Sequence, residues 1–240
     1  EIRVSNPTSR PYLEMTMAVL QEFNGEIIKK TDSIFQIRGN QKLGVNKIDL
    51  EGDWSNMAFH FVGAALSGRV SISGLYLNST QADKISLEVL SRFGAKTEFD
   101  SNGEINVTCA SKNPFQVDLT DAPDLFPVLS VLACGANGCS SLKGTHRLMN
   151  KESNRSQSIC EMLDVFGVQY QLEEDTLFIF GRSSVRGGKV KTYNDHRMAM
   201  AAICAATISK NDIIIDNEEC IQKSYSNYFL HMGEILKNDS

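Results

Sequence analysis

The sequence lacks the cysteine patterns that are typical of disulfide-rich scaffolds and of zinc sites. Its six cysteines are scattered, and none of them forms a C-x-x-C pair. This spacing argues against a disulfide framework or a bound metal ion and favours reduced, structural thiols. The cysteines are Cys109, Cys134, Cys139, Cys160, Cys204 and Cys220.

A basic excess, a long apolar run and a signal peptide are also missing. Among the 240 residues, 24 Lys and Arg stand against 29 Asp and Glu, so the formal net charge is −5. This balance argues against general nucleic-acid binding, although a local cluster of cations can still hold a small anion. No apolar run approaches the length of a membrane span, and no signal peptide is visible. We therefore expect a cytoplasmic globular protein that binds neither nucleic acid nor membrane.

Three segments of the chain resemble one another and predict three equivalent helices. Residues 9–25, 79–94 and 152–167 each have a Ser suited to a helix N-cap at or next to their start. Each then places apolar residues at helical spacing and closes on a Phe with a nearby Gly, which signals a helix end. The copies recur about every 70 residues, which indicates repetition of one supersecondary unit.

Short segments of alternating polarity follow these helices and predict β-strands. The turn of the second pair falls at Asn102-Gly103, a dipeptide that is favoured in tight hairpins. The predicted strands are residues 33–39, 96–100 with 104–110, and 169–175 with 176–181.

A second set of helices alternates with the first. Their predicted starts are Asp53, Asp121 and Asp195. Small and apolar residues lie on nearly all sides of these helices, so we expect them to be buried. A strand follows each helix, at residues 69–75, 140–145 and 211–216.

The predicted unit is therefore helix, strand, helix, strand, strand. Residues 1–50 hold only the second part of a unit. Three further units cover about residues 51–112, 113–182 and 183–240, and the last of them has a shorter final helix. Because the chain enters a unit halfway, we expect further sequence upstream.

Unusual polar residues gather at the predicted helix starts, where unpaired N–H groups favour anions. Arg155, Arg197 and Lys223 are cations placed against the helix dipole, which indicates that a bound anion compensates them. Arginine is the better bidentate clamp for carboxylate or phosphate, and lysine acts as a point charge. Asp124 and Glu152 are then candidate general acid and base groups that act on a small, highly anionic ligand.

Structural roles stay open for several of these residues. Asp121 and Asp195 can act simply as helix N-caps. The segment 151–155 can form a solvated helix end, and His196 can be a structural hydrogen-bonding group.

Six longer sequence motifs indicate a particular protein family. They are SRPYLEMT, GDWSNMAF, DAPDLFPVLSVLA, KESNR, YNDHRMAMA and KSYSNYF, in this order. Their order and content resemble the 3-phosphoshikimate 1-carboxyvinyltransferase (EPSP synthase) family of enolpyruvyl transferases. The resemblance implies an α/β fold of repeated βαβαββ units, an inside-out α/β barrel with helices inside and sheets outside. Residues 51–240 would then form one lobe of three units, and residues 1–50 a partial unit of the shikimate-phosphate-binding lobe.

The implied activity transfers the enolpyruvyl group of phosphoenolpyruvate to the 5-hydroxyl of shikimate 3-phosphate and releases phosphate. This reaction belongs to aromatic amino-acid biosynthesis, needs no cofactor, and is the familiar target of glyphosate. The implied catalytic residues are Asp124 as base, Glu152 as proton-transfer group and His196 beside them. The implied substrate contacts are Ser9, Tyr12 and Lys151 for shikimate 3-phosphate, and Arg155, Arg197 and Lys223 for phosphoenolpyruvate. Asp53, at the crossover between lobes, is implied to be structural.

The chain also departs from the family pattern. Arg147 stands where some members carry an Asn that contacts the shikimate moiety, and Asn154 and Ser226 replace a commoner Asp and Pro. Family segments that supply a lysine and much of the phosphate binding are absent. We therefore expect the chain alone to be inactive or nearly so, with the missing N-terminal half as its partner. Two other interpretations stay open: a non-catalytic repeat module that binds an anion or a partner chain, and a UDP-N-acetylglucosamine enolpyruvyl transferase.

Overall fold

The structure is a computed structural model that describes residues 1–44, 47–149 and 151–237. Residues 45–46, 150 and 238–240 belong to the predicted units and lie outside this part. The helices are α1 (Arg10–Glu22), α2 (Trp54–Ser67), α3 (Ser86–Phe93), α4 (Phe126–Gly135), α5 (Arg155–Phe166), α6 (His196–Ala205) and α7 (Tyr228–Lys237). Short 3-10 helices cover Ala82–Ile85, Pro123–Leu125, Thr145–Arg147, Ala206–Ile208 and Glu219–Lys223.

The strands form four sheets that follow the predicted repeat. Their orders are β1-β3-β2, β4-β6-β5, β7-β8-β10-β9 and β11-β12. The strands are β1 (Ile2–Arg3), β2 (Ile27–Thr31), β3 (Ile34–Ile37), β4 (Arg69–Ile72), β5 (Lys96–Phe99), β6 (Ile105–Thr108), β7 (Gln116–Asp118), β8 (Asn137–Lys143), β9 (Gln169–Glu173), β10 (Thr176–Arg182), β11 (Gly188–Val190) and β12 (Ile213–Ile215).

One arrangement recurs in the first three sheets. A strand is followed by a helix and an antiparallel hairpin, and the strand pairs antiparallel with the second strand of that hairpin. The third and fourth sheets add a leading strand, because β7 pairs parallel with β8 and β11 with β12. The segment from β7 to β10 therefore has the complete βαβαββ order. The α/β fold class is confirmed, and the assignment of residues to two lobes stays a prediction.

The core lies between the three central helices. Helices α2, α4 and α6 contact one another pairwise, and nearly all their residues are buried. Small residues permit this close approach: an added Cβ at Gly135 of α4 would overlap Leu66 of α2. The prediction of buried central helices is confirmed, and burial of each large apolar side chain contributes about 1.5–3 kcal/mol.

Residues 1–44 and 47–50 pack much less tightly than the rest. Phe35 is their one buried residue, and helix α1 contains none. Polar contacts to the later units therefore carry much of the attachment of α1, which matters for the site below.

The predicted helices are present, but their capping differs from the prediction. Ser9 precedes α1 in the left-handed conformation and makes no capping bond. The Ser79 hydroxyl accepts from the Gln81 N–H in a turn ahead of the helix. Helix α5 is capped by Asn154, which accepts from the Gln157 N–H. The predicted Ser caps are therefore wrong. The predicted helix ends at Gly94 and Gly167 are confirmed, because both glycines have positive φ at the C-cap.

Of the three predicted aspartate caps, two occur in the structure and one does not. Asp53 accepts from the Asn56 N–H and Asp195 from the Arg197 N–H, so these two caps are confirmed. The Asp121 cap is wrong. Pro123 opens a 3-10 turn at this point, and α4 begins only at Phe126.

The predicted strands also occur, including both antiparallel hairpins. Strands β1, β2, β7 and β11 were not predicted, because each is short or lacks a clear polar and apolar alternation. Among the described helices, none has both the length and the apolar character needed to span a bilayer.

Candidate active site

Asp124 lies at the centre of a cluster of charges. Its Oδ1 is 2.6 Å from Arg155 Nη1 and 3.1 Å from Lys151 Nζ, and its Oδ2 is 3.3 Å from Arg197 Nη2. Burial by itself raises the pKa of Asp124, but Arg197, Arg155 and Lys151 outweigh it and lower the pKa well below its usual range. Asp124 is therefore ionised at neutral pH and can accept a hydrogen bond from a substrate hydroxyl.

The Arg155 guanidinium is completely buried and is bound by three carboxylates. Its Nε lies 2.7 Å from Asp195 Oδ2, and its two terminal nitrogens reach Asp124 at 2.6 Å and Glu152 at 2.5 Å. Arg155 opens α5 against the helix dipole, as predicted, but these carboxylates compensate its charge. The dipole argument alone therefore does not require an external anion at Arg155, and its contact with phosphoenolpyruvate stays a prediction.

Asp195 combines a helix cap with an ion pair. Its Oδ1 accepts from the Arg197 N–H at 3.0 Å, and its Oδ2 accepts from Arg155 Nε and from the Ser153 hydroxyl at 3.1 Å. Burial raises the pKa of Asp195, and the Arg155 guanidinium reverses this and lowers it. A buried, ionised Asp195 thus fixes the start of α6 against the start of α5.

Arg197 and His196 keep unused hydrogen-bonding atoms. Among the described residues, Arg197 Nη1 and His196 Nδ1 have no hydrogen-bond partner, although both atoms are shielded from solvent. Burial and then the charge of Arg197 lower the pKa of His196 below 6.5, so the imidazole is neutral at pH 7. Buried groups of this kind cost free energy unless a ligand satisfies them. The pair therefore has the features of a site for an incoming anion.

Lys223 does not open a helix, and that prediction is wrong. It ends the 3-10 helix Glu219–Lys223, where a cation is favourable, and α7 begins at Tyr228. Its Nζ donates to the Asn194 carbonyl at 2.7 Å. Tyr193 and Asn194 both have positive φ, so Lys223 holds a strained turn directly before Asp195.

Ser9 and Tyr12, at the start of α1, contact side chains of the later units rather than the Asp124 cluster itself. The Ser9 hydroxyl accepts from Arg147 Nη2 at 2.9 Å, and Arg147 Nη1 donates to the Thr120 carbonyl at 2.7 Å. The Tyr12 hydroxyl donates to Asp83 Oδ2 at 2.9 Å. Arg147, which the family pattern alone gave little weight, is thus the link between Ser9 and the later units.

Sequence reasoning missed Asp83 and Ser55. The Ser55 hydroxyl donates to Asp83 Oδ2, the oxygen that also accepts from Tyr12. Both residues stand in the first turn of a helix, the position that drew attention to the other candidates. That signal was therefore available for them. Five of the predicted residues form one connected network (Asp124, Lys151, Glu152, Arg155 and Arg197), and His196 neighbours Arg197 in sequence. The other three bond elsewhere: Ser9 to Arg147, Tyr12 to Asp83 and Lys223 to the Asn194 carbonyl.

Fold and site together define a class of protein. Repeated α/β units bring several helix starts to one place, and charged side chains there form a cluster suited to small anionic substrates. Comparison with known proteins makes the assignment specific. The profile of EPSP synthase (3-phosphoshikimate 1-carboxyvinyltransferase) matches residues 1–232. The chain belongs to this family.

Individual relatives agree with this assignment. The 3-phosphoshikimate 1-carboxyvinyltransferase of Brachyspira hyodysenteriae is 35% identical over 221 residues, which are 92% of this chain and 53% of that protein. The enzyme of the same name from Clostridium acetobutylicum is 32% identical over 231 residues, 96% of this chain and 53% of that protein. A solved structure of EPSP synthase from Acinetobacter baumannii superposes with a TM-score of 0.77 at 26% identity, covering 92% of this chain and 54% of that one. The chain thus spans about half the length of the relatives it matches.

Proposed function

We propose that this chain is the part of an EPSP synthase that supplies Asp124, Glu152, Arg197 and their neighbours to the active site. The reaction joins phosphoenolpyruvate to the 5-hydroxyl of shikimate 3-phosphate and releases phosphate, in the cytoplasm. The network around Asp124 carries the proposal, because it sets one ionised carboxylate among three cations where helix starts meet. The remaining part of the site comes from sequence that corresponds to the other half of the relatives.

The chemistry needs a proton acceptor, a proton donor and cations. The shikimate hydroxyl gives up its proton as its oxygen bonds to the central carbon of phosphoenolpyruvate, and the methylene carbon takes a proton. The tetrahedral intermediate then expels phosphate and loses a proton from the methyl group. Asp124 orients the hydroxyl as an ionised acceptor, and Glu152, 43% exposed, handles the proton of the methylene carbon.

The cations divide into two groups. Arg197 keeps Nη1 for phosphoenolpyruvate, and Lys151 and Lys223 supply flexible charges at the edge of the cluster. Arg155 fixes Asp124, Glu152 and Asp195 in place, and it can bind substrate directly only if one of these carboxylates moves away. His196 is a neutral hydrogen-bonding group beside Arg197.

Ligand binding by the chain tests this proposal. We would titrate it with shikimate 3-phosphate, phosphoenolpyruvate and UDP-N-acetylglucosamine and follow each by ligand-observed NMR. We expect weak binding of the first two and none of the nucleotide sugar. Arg197→Met should weaken phosphoenolpyruvate binding about tenfold or more, the effect of one lost charge-assisted hydrogen bond. Arg92→Met, which removes an exposed pair with Glu88, is the matched control and should change nothing.

Other outcomes would point elsewhere. A folded chain that binds neither anion would support the non-catalytic module, and binding of UDP-N-acetylglucosamine would support the related transferase. Phosphate release is the readout for turnover. A rate within the usual enzyme range would contradict the expectation that the chain alone is inactive or nearly so.

A further inference from the structure

Asp83 is a buried carboxylate that the proposed chemistry does not use. It lies in the 3-10 helix Ala82–Ile85 and is 1% exposed. Its Oδ2 accepts hydrogen bonds from the Tyr12 hydroxyl, at 2.9 Å, and from the Ser55 hydroxyl. Its Oδ1 is shielded from solvent and has no hydrogen-bond partner within the described part of the chain. A buried carboxyl group with an unsatisfied oxygen calls for a physical explanation.

The two hydroxyl donors come from different parts of the fold. Tyr12 stands in the first turn of α1 and Ser55 in the first turn of α2, so Asp83 joins three helix starts. Because α1 has no fully buried residue and Tyr12 is only half-buried, apolar packing holds the Tyr12 ring only in part. The hydrogen bond to Asp83 is the polar contact that directs the Tyr12 hydroxyl.

The surroundings of Asp83 also suit an anion site. Its carboxyl group makes no ion pair with any described cation within salt-bridge distance, and it lies close enough to Arg197 and Asp124 to respond to both charges. Burial is the largest influence and raises the pKa of Asp83. A carboxyl group that tends toward its neutral form can hold Tyr12 without adding a negative charge beside a bound phosphate.

We infer that Asp83 is a positioning residue, which holds the Tyr12 hydroxyl where the phosphate of the acceptor substrate binds. The inference rests on the proposed function for the identity of that substrate. It does not make Asp83 a catalytic residue, because its contacts are with Tyr12 and Ser55. What Asp83 contributes is a hydrogen-bond partner for the Tyr12 oxygen at a fixed place. The phenol has one proton, so when a phosphate accepts that proton, a neutral Asp83 carboxyl can donate to the Tyr12 oxygen in return, and a neutral amide can do the same.

The experiment compares Asp83→Asn, Asp83→Ala, Tyr12→Phe and the double variant Asp83→Ala with Tyr12→Phe. Dissociation constants for shikimate 3-phosphate and for phosphoenolpyruvate are measured separately at pH 7. Asp83→Ala and Tyr12→Phe should each weaken shikimate 3-phosphate binding about tenfold, and the double variant should be no weaker than either. Asp83→Asn should stay within about twofold, because its amide can both accept from and donate to the Tyr12 hydroxyl. Phosphoenolpyruvate binding should not change in any variant.

Ser86→Ala is the matched control. Ser86 is fully buried one turn further along, and its hydroxyl has no partner among the described residues. Equal weakening of both ligands by Asp83→Ala, the same loss in Ser86→Ala, or losses that multiply in the double variant would overturn the inference. Failure of Asp83→Asn to preserve binding would do so as well.

Failure of the proposed function gives a different result. A wild-type chain that binds no shikimate 3-phosphate refutes the proposed function for this chain while leaving the Asp83–Tyr12 contact open to test. The same four variants are then unfolded in urea. Non-additive losses of stability support a direct Asp83–Tyr12 interaction, and additive losses overturn it.

Discussion

The structure predicts a large loss of folding stability when Arg155 is replaced. Replacement by Met keeps most of the side-chain volume and removes the charge that compensates Asp124, Glu152 and Asp195. Asp195 and Arg155 are both fully buried, and removing one partner of a buried ion pair costs about 3–5 kcal/mol. A chain of this size has about 5–15 kcal/mol in total, so Arg155→Met should fold but with much reduced stability. Urea unfolding followed by far-UV circular dichroism measures the difference.

The pH dependence separates this mechanism from a simple packing defect. In the wild type the pKa values of Asp124 and Asp195 are lowered, so their contribution is full above the ordinary pKa of 3.8 and is lost below it. In Arg155→Met, Asp195 loses its main partner and Asp124 loses one of its three cations, so both pKa values rise. The carboxyls of the variant are then protonated at a higher pH than those of the wild type. The stability deficit should therefore shrink as the pH falls from 7 toward 3. Arg92→Met, at an exposed pair, should lose at most about 1 kcal/mol at either pH. A deficit at Arg155 that is equally small, or that does not shrink with acid, would refute the reasoning.

Two further predictions follow from particular contacts. Arg147→Met removes the donor to Ser9 and to the Thr120 carbonyl, so we expect shikimate 3-phosphate binding to weaken about tenfold, with Arg147→Lys intermediate. Calorimetric titration measures this, and an unchanged dissociation constant would contradict it. Ile214 is 57% exposed on β12, whose outer edge carries no hairpin in the described part of the chain, so Ile214→Lys should reduce concentration-dependent self-association. Sedimentation velocity measures it. Phe180→Lys, at an exposed position on β10, a strand paired on both sides, is the control and should leave association unchanged.

Much of the fold could be predicted because the chain repeats a local pattern. Alternating polarity located β5, β6, β9 and β10, and the run of small apolar residues identified α2, α4 and α6 as central. These features depend on residues close together in sequence. Strands such as β7 and β11 have only three residues each, and parallel pairing with a distant strand is what makes them strands. No local signal encodes such a pairing.

The candidate site was predicted residue by residue, but its connections were not. Arg155, Asp124 and Asp195 were each noticed at helix starts, and their mutual hydrogen bonds span 31 and 40 residues of sequence. Charge opposed to a helix dipole is visible in the sequence, whereas the carboxylate that compensates it is visible only in three dimensions. The same limit explains why Asp83 was missed, because its bond to Tyr12 spans 71 residues of sequence.

These connections bear on what the chain can do alone. Within the network, the carboxylates of Asp124, Glu152 and Asp195 balance the cations of Lys151, Arg155 and Arg197 charge for charge. A balanced cluster holds its side chains in place but offers little net attraction to two substrates that both carry phosphate and carboxylate groups. The extra positive charge within the described residues comes from Arg147 and Lys223, which donate to neutral oxygens. Under the proposed function, strong substrate binding would then require further cations from outside this chain, and we expect them in the half of the relatives that the chain does not cover. The expected weakness of the isolated chain is thus a consequence of its own charge balance.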